Sequence, residues 1–240
     1  MSAPSVLITS SLELPPTLDG RVMVAVDVIR ATTTAVTAVA LGRRCMTVAS
    51  LAEAVAVAAT LDRPLLAGEL AGTVPPGFEL DNSPADLVDR SDVARPLVLL
   101  SSSGTRLLAR SSGTPVYVAC FRNQSAVAAR LRELGASVVL VGACSRGEFR
   151  EEDQMCCARI AASLIDAGFE AEAPTRALVD RWRDAPLNAI RRSRSVAFLE
   201  QSGRAHDLDF VLTHVDDLDC VFVVEEGEVV SAAAPVPTRG

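Results

Sequence analysis

The sequence contains no lysine, and all 23 of its basic residues are arginine. This absence excludes mechanisms that need a lysine amine, such as a Schiff base, a lysine general base or the lysine of a phosphate-binding loop. An anion bound by this chain must therefore be held by arginine side chains and backbone N–H groups. The planar guanidinium suits this task, because its paired donors match the oxygens of a phosphate or a sulfonate.

Aromatic residues and long apolar runs are also scarce. Aromatic side chains make up 4% of the chain, and no apolar run reaches the length of a membrane-spanning helix. The N-terminus lacks the basic and apolar regions of a signal peptide, so we expect a cytoplasmic protein without a membrane partner. The net charge of −7 argues against nucleic-acid binding, because a phosphate backbone repels such a surface.

The six cysteines lack the spacing of a metal site, and we expect reduced, mostly buried thiols. Cys144 precedes Arg150 by six residues, which matches the C-x5-R pattern of cysteine-dependent phosphatases. Chance produces such a pair readily in a chain so rich in arginine. Glu148 would also repel a phosphate inside that loop, and Ala143 stands where such enzymes usually have histidine. A cysteine-dependent phosphatase is therefore a weak alternative.

The composition and the order of segments favour an α/β fold. The chain has 240 residues, and 49% of them are hydrophobic, which is enough for a sizeable core. The apolar run Val22–Val26 predicts a strand buried on both faces, and it is followed by a polar turn and a segment typical of a helix. The same order recurs at the turns that begin with Ser101, Phe121 and Ala143.

This repetition predicts a three-layer α/β/α sandwich with a largely parallel or mixed sheet. We expect one domain over residues 1–240, with a division near residue 95 or 170 as the alternatives. Two similar halves are a further hypothesis. The composition is also compatible with a homodimer.

The first polar turn carries chemistry-bearing side chains. Asp27 ends the buried strand, Arg30 follows three residues later, and Thr32, Thr33 and Thr34 come next. In an open α/β sheet this turn lies at the carboxyl end of a strand, where ligands bind. An acid, a base and hydroxyl groups around one crevice can hold a cation together with an anion, such as a metal ion with a phosphate.

Three further segments present similar groups. Glu69 ends another apolar run and is followed by a Gly/Pro-rich loop that contains Asn82. Residues 101–106 (SSSGTR) form a turn before a helix, where N–H groups favour anions. A third turn contains Arg146 and leads to the acids of residues 151–153, which suit a helix N-terminus and would also join Asp27 and Glu69 around a metal.

The sequence lacks the patterns of haloacid-type phosphatases and of dinucleotide-binding sites. Haloacid-type phosphatases need a second acid two residues after the first, and that position is Ile29 here. No G-x-G-x-x-G fingerprint of a dinucleotide site is present. What remains is metal-assisted chemistry on a small anion, with Mg²⁺ as the expected ion because it prefers oxygen ligands.

Several motifs together resemble the 2-phosphosulfolactate phosphatase family. They occur in that family's order and spacing, and they lie at residues 27–34 (DVIRATTT), 68–69 (GE), 76–84 (PGFELDNSP), 103–106 (SGTR) and 147–153 (GEFREED). The resemblance covers roughly residues 22–168. It implies an α/β/α fold and the Mg²⁺-dependent hydrolysis of 2-phospho-3-sulfolactate to 3-sulfolactate and phosphate, a step that in some organisms belongs to coenzyme M synthesis.

On this basis we predict a Mg²⁺-dependent phosphatase that acts on a small anionic substrate. The predicted roles divide into three sets: metal ligands Asp27, Glu69 and Asp153; catalytic residues Asp27, Arg30, Arg106 and Glu152; and substrate-binding residues Thr32, Thr33, Asn82, Gly104 and Arg146. Two departures from the family pattern stand out, since Asp81 replaces a usual Gly and Ser103 a usual Asn. The added charge of Asp81 suggests a different substrate, or a non-catalytic protein that binds small anions.

Overall fold

The computed structural model of the chain describes residues 3–14, 17–109 and 115–232, and the structural statements below concern these residues. A turn predicted at residues 15–16 lies outside them, as does the tail predicted to fray at residues 232–240, apart from Ala232. The described part contains eleven strands and nine α-helices. The strands are β1 Val6–Ser10, β2 Val22–Val26, β3 Cys45–Val48, β4 Leu65–Gly68, β5 Leu97–Leu100, β6 Val116–Ala119, β7 Val138–Gly142, β8 Cys144–Ser145, β9 Glu148–Phe149, β10 Val221–Glu225 and β11 Glu228–Ala232.

The α-helices are distributed along the whole described chain. They are α1 Ala31–Ala40, α2 Leu51–Ala58, α3 Pro84–Val88, α4 Gly104–Leu108, α5 Gln124–Leu134, α6 Glu151–Asp166, α7 Ala173–Trp182, α8 Arg194–Gln201 and α9 Ala205–Thr213. A 3-10 helix, Leu187–Arg192, lies between α7 and α8.

Nine strands of the described chain form one mixed sheet in the order β1-β7-β2-β6-β10-β11-β3-β5-β4. Strands β1, β7, β2 and β6 are parallel, and β3, β5 and β4 form a second parallel block. The hairpin β10–β11 lies between the blocks and pairs antiparallel with β6 on one side and β3 on the other. Because three antiparallel pairings separate the two blocks, their strands run in opposite directions.

Helices cover both faces of this sheet, which gives the predicted three-layer α/β/α arrangement. Helices α5, α6 and α7 pack on one face of the first block, with Trp182 buried there. Helices α1 and α4 share a second core with both blocks, in which Met23 of β2 and Leu99 of β5 lie together. This second core therefore spans both blocks of the sheet. Helix α2 packs on the opposite side of the second block.

Local signals in the sequence explain where several elements begin and end. Strand β2 is a nearly unbroken buried apolar run, as its composition predicts. Helix α3 begins at Pro84, because the Ser83 side chain accepts a hydrogen bond from the Asp86 N–H and Pro84 suits the first helical position. Gly135 ends α5 in the left-handed conformation that glycine adopts readily.

The structure differs from the sequence prediction mainly after residue 140. The predicted loop after β7 contains the short hairpin β8–β9, whose two-residue turn is Arg146-Gly147. After α6 the chain continues with α7, the 3-10 helix, α8 and α9. The hairpin β10–β11, at the end of the described chain, lies inside the sheet. Division into domains and two similar halves stay predictions.

Among the described residues, none of the helices combines the length and the apolarity that crossing a membrane requires. All six cysteines lie in the described ranges as free thiols, and five of them are buried, as expected.

Candidate active site

A cavity of about 220 Å³ lies where the turns after β2, β4, β5 and β7 meet helix α8. Of the predicted site residues, it is lined by Asp27, Arg30, Glu69, Asn82, Arg146 and Asp153. Segments from both parallel blocks therefore contribute to one site. This placement follows from the shared core, which brings the end of β5 against the turn after β2.

One side of the cavity is acidic. Asp27 and Asp153 are buried, and Asp153 Oδ1 accepts a hydrogen bond of 2.7 Å from the backbone N–H of Val28. Glu69 is half-buried, and its two carboxylate oxygens accept hydrogen bonds from the N–H and hydroxyl of Ser102 and from the N–H of Gly72. Three carboxylates from separate turns are thus fixed around the same space.

Burial and mutual repulsion perturb these acids. The pKa of Asp27 is raised to about 7, chiefly by burial. A hydrogen bond from the Ala31 N–H opposes this rise. The charges of Glu69 and Glu152 raise the pKa of Asp27 further. The pKa of Asp153 is raised well above its usual value, first by burial and then by the charges of Asp27 and Glu152. Such shifts mark a place where negative charge is crowded and a cation would be stabilised.

Glu152 lies behind the cavity wall. It is 1% exposed, and burial raises its pKa, while the hydroxyls of Ser195 and Ser193 oppose the shift. Its Oε2 atom is buried and lacks a hydrogen-bond partner in the described part of the chain. Glu152 is therefore near enough for its charge to raise the pKa of Asp27, but it is not among the residues that line the cavity.

Gly104 makes room for Asp27. A Cβ atom at this position would overlap Asp27 Oδ2 and would lie 2.5 Å from the Cβ of Ala31. The predicted role of Gly104 was a hydrogen bond to substrate, but Gly104 does not reach the cavity lining. Its observable contribution is steric, because any larger residue would displace the carboxylate.

The threonines after Asp27 serve the turn itself. Thr32 Oγ1 donates to the Asp27 carbonyl at 2.8 Å and accepts from the Asp27 N–H at 3.0 Å, and Thr33 Oγ1 donates to the Val28 carbonyl. Both side chains are buried inside α1 and outside the cavity lining. The expectation that they face the substrate is corrected here, since their hydroxyls are used to hold Asp27 in place.

Arg30 is buried at the edge of the cavity within an ion-pair network. Its guanidinium donates to Asp81 Oδ2 and Asp207 Oδ2, each at 2.6 Å, and Asp81 also pairs with Arg204. Burial alone would lower the pKa of Arg30, yet the charges of Asp81 and Asp207 outweigh it and raise that pKa. Since two carboxylates already neutralise it, Arg30 is better suited to position the turn than to bind substrate.

The same ion-pair network neutralises the charge that Asp81 adds relative to the family pattern. Its carboxylate faces two guanidinium groups, from Arg30 and Arg204, and is absent from the residues that line the cavity. The added charge is therefore compensated within the protein. It no longer argues for a protein that binds anions without turnover.

Arg106 lies away from the cavity. Its side chain is exposed, and its Nε is 3.4 Å from the carbonyl oxygen of Ala49. The sequence placed it in the first turn of a helix aimed at the site, but the third residue of the short helix α4 points outward while its neighbours Thr105 and Leu107 are buried. The prediction of Arg106 as an anion clamp is therefore corrected.

Another part of the cavity lining is basic. Arg146 extends from the β8–β9 turn over the ring of Phe198, Arg150 precedes α6, and Arg194 begins α8. Sequence reasoning missed Arg150 as a binding residue, because it appeared only within the C-x5-R pattern. Arg194 was missed as well, because no local signal distinguishes it from Arg191 and Arg192.

Helix α8 closes the cavity. Ser195, Phe198 and Leu199 line it, and the Phe198 ring packs where Gly72 has no side chain. Asn82 adds a polar wall whose Oδ1 atom is buried and lacks a partner among the described residues. The closing helix lies beyond residue 170, where the sequence signal was weakest.

The hairpin also decides against the cysteine-dependent alternative. Cys144 pairs with Phe149 across β8 and β9, so residues 144–149 form an extended hairpin and not a loop that wraps a phosphate. Cys144 is buried, and it is its neighbours Ala143 and Ser145 that line the cavity. The Cys144 thiol is therefore not placed to attack a substrate in the cavity.

The acidic residues of the cavity offer only oxygen donors to a metal ion. Within residues 3–14, 17–109 and 115–232, no three His, Cys, Asp or Glu side chains are grouped so that they could hold a metal ion by themselves. Mg²⁺ commonly takes only one or two carboxylates, and waters and substrate oxygens fill the rest. Oxygen-only donors, raised carboxyl pKa values and buried acceptors without partners fit such an ion.

Comparison with known proteins gives a consistent match. The family described as 2-phosphosulpholactate phosphatase matches residues 8–227. A probable 2-phosphosulfolactate phosphatase of Synechococcus sp. (strain JA-2-3B'a(2-13)) is 36% identical over 210 residues, which cover 84% of this chain and 86% of that protein. The 2-phosphosulfolactate phosphatase of Methanothermobacter thermautotrophicus is 36% identical over 188 residues, covering 78% and 80%.

Proposed function

The chain belongs to the 2-phosphosulfolactate phosphatase family, and from this membership and the cavity we propose that it is a phosphoric monoester hydrolase. The proposed reaction is the Mg²⁺-dependent hydrolysis of 2-phospho-3-sulfolactate, or a closely related phosphorylated acid, to the hydroxy acid and phosphate. Water adds to phosphorus, the ester P–O bond breaks, and the departing alkoxide oxygen takes up a proton.

The observation that carries the proposal is that one cavity is lined by both carboxylates and guanidinium groups. The carboxylates belong to Asp27, Glu69 and Asp153, and the guanidinium groups to Arg146, Arg150 and Arg194. A ligand that fits both must join a cation to an anion, as a metal-bound phosphate ester does.

One or two of the carboxylates of Asp27, Glu69 and Asp153 would hold the Mg²⁺ ion, and waters and substrate oxygens would complete its coordination. When bound, this ion would polarise a phosphoryl oxygen and lower the pKa of a water molecule. The crowded carboxylates gain from such a partner, because burial and repulsion otherwise disfavour their ionised forms.

The remaining residues orient the substrate and exclude water. The guanidinium group of Arg146, which also lines the cavity, would neutralise phosphoryl charge as the leaving oxygen departs. Asn82 offers a buried acceptor to a hydroxyl or a water proton. Phe198 and Leu199 cover the cavity with apolar surface, and so the electrostatic interactions beneath them act in a low-dielectric environment.

The test is phosphate release from a panel of phosphorylated hydroxy acids, with Mg²⁺ and with EDTA. Asp27→Asn should lower kcat/KM by at least about 100-fold, because it removes the central carboxylate charge, and circular dichroism should show an intact fold. Asp19→Asn is the matched control, since Asp19 lies on the surface and outside the cavity. Full activity of Asp27→Asn, or activity unaffected by EDTA, would contradict the proposal. Binding without release would favour the non-catalytic alternative.

A further inference from the structure

The basic side of the cavity is a linked cluster. Glu148, on β9, accepts hydrogen bonds from Nη1 of Arg150 and from Nη1 of Arg194. These three residues come from the hairpin, the start of α6 and the start of α8, so a single carboxylate joins three elements at the cavity wall.

Arg150 has an unused donor. Its side chain is buried, it lines the cavity, and its Nε has no hydrogen-bond partner among the residues that the structure describes. A buried donor without a partner is costly, and native proteins rarely leave a guanidinium N–H in that condition. An anionic ligand in the cavity would supply the missing acceptor.

The charge on this side exceeds what Glu148 can neutralise. Arg146, Arg150 and Arg194 contribute three positive charges, and Glu148 contributes one negative charge. In the proposed function, the reacting phosphate would bind the metal ion that the carboxylates hold. The excess positive charge therefore has a second anionic group as its natural partner.

We propose that Arg150 and Arg194, held by Glu148, bind the non-reacting anionic group of the substrate. This group would be a sulfonate or a carboxylate on the carbon skeleton, and its binding would select phosphate esters that carry a second anion. The inference rests on the proposed function for the identity of the substrate. It assigns specificity, not bond cleavage, to the two arginines.

The experiment compares the two halves of the substrate as separate ligands. Binding of 3-sulfolactate and of inorganic phosphate is measured by titration calorimetry, with Mg²⁺ present, for the wild type, Arg194→Gln and Arg150→Gln. Each variant should weaken 3-sulfolactate binding by about 10- to 100-fold, the range for one lost charge-assisted hydrogen bond. Phosphate binding should change by less than about threefold.

Arg192→Gln is the matched control. Arg192 is exposed, lies two residues before Arg194 and is outside the cavity lining, so both affinities should stay at their wild-type values. Arg194 is largely exposed as well, with 75% of its side chain accessible, and its substitution should leave the fold intact. The Arg194→Gln result decides the question even if Arg150→Gln, a buried position, fails to fold.

The outcomes separate this inference from the proposed function. Equal losses for both ligands would mean that the arginines bind the reacting phosphate, and the inference would be wrong. Wild-type affinity of Arg194→Gln for 3-sulfolactate would overturn it as well. A wild type that releases no phosphate from any ester, yet binds 3-sulfolactate through Arg194, would instead refute the catalytic proposal alone.

Discussion

At the residue scale, the position of Asp27 depends on what surrounds it on every side. The Thr32 hydroxyl forms hydrogen bonds with the backbone N–H and carbonyl of Asp27. Gly104, which has no side chain, leaves space for the Asp27 carboxylate. Asp27 itself was readable from the sequence, because an acid at the end of a buried strand is a local signal. The steric role of Gly104 was not, since the contact joins residues 77 positions apart and depends on the shared core.

Gly104→Ala should therefore impair the site directly. The added methyl group would overlap Asp27 Oδ2, so we expect a loss of about 1–3 kcal/mol in the free energy of unfolding, as for overpacked cores. We also expect at least a tenfold lower kcat/KM, because a small displacement of a reacting group is costly. Urea unfolding and phosphate-release assays measure the two effects.

Gly42→Ala separates crowding from general destabilisation. Gly42 has φ +82°, and a Cβ there would meet nothing within 4 Å, so the change costs only about 1–2 kcal/mol of backbone strain. Its kcat/KM should match the wild type. If Gly104→Ala keeps full activity, Gly104 does not control the position of Asp27.

The buried acids also predict how the stability of the metal-free protein depends on pH. The pKa of Asp27 is about 7 in the folded chain and near 3.8 when unfolded, so between these values only the folded state keeps the proton. Stability must then fall as pH rises from about 4 to 7 and level off above, by on the order of 4 kcal/mol for this group. The pKa values of Asp153 and Glu152 are raised too and add to the same trend.

Urea unfolding in EDTA at several pH values tests this prediction. Carboxyls with lowered pKa, such as Asp92 and Asp217, give the opposite slope but act at lower pH. Asp27→Asn should flatten the decline and make the metal-free protein more stable than the wild type at pH 8. A wild-type stability that rises steadily from pH 4 to 7 would contradict the assigned environment of Asp27.

At the element scale, α9 is tied to the site through one buried carboxylate. Asp207 accepts from Arg30 Nη1 and from Ser83 Oγ, each at 2.6 Å, and so it joins α9 to the first turn and to the start of α3. It is fully buried. The helix therefore holds Arg30 and, through it, the backbone of the turn that carries Asp27.

Asp207→Ala should lower the free energy of unfolding by about 3–5 kcal/mol. The substitution leaves the buried Arg30 with Asp81 as its one ion-pair partner among the described residues, and it removes the carboxylate that accepts the Ser83 hydroxyl proton. Thermal or urea unfolding gives the value. His206→Ala, at the exposed neighbouring position on the same helix, should change stability by less than about 1 kcal/mol. Equal effects of both substitutions would show that the network is not what holds α9.

Elements with strong local signals were predictable from the sequence, and those that depend on distant partners were not. The strand Val22–Val26 was found because its apolar residues are contiguous. Helix α8 was not predicted, although its N-cap Ser193 accepts a hydrogen bond from the Val196 N–H. The burial of Arg150 depends on packing that no single segment encodes.

At the scale of the whole molecule, the family and the layered fold followed from motifs, while the sheet order did not. Alternating strands and helices predict parallel blocks, but they do not say that a late hairpin enters between them. Strand β10 begins with the apolar run VFVV, which is compatible with burial on both faces, but its place between β6 and β3 is a property of the final packing. Phe222 in β10 is fully buried in the core that both blocks share.

The order of synthesis gives this hairpin a consequence for biogenesis. Strands β10 and β11 leave the ribosome after every other strand of the sheet, yet they lie between β6 and β3. Until they arrive, each parallel block exposes an unsatisfied strand edge, which is a template for pairing with other nascent chains. The protein should therefore be most prone to misassembly just before its translation reaches residue 232, and chaperone demand should be concentrated in that interval.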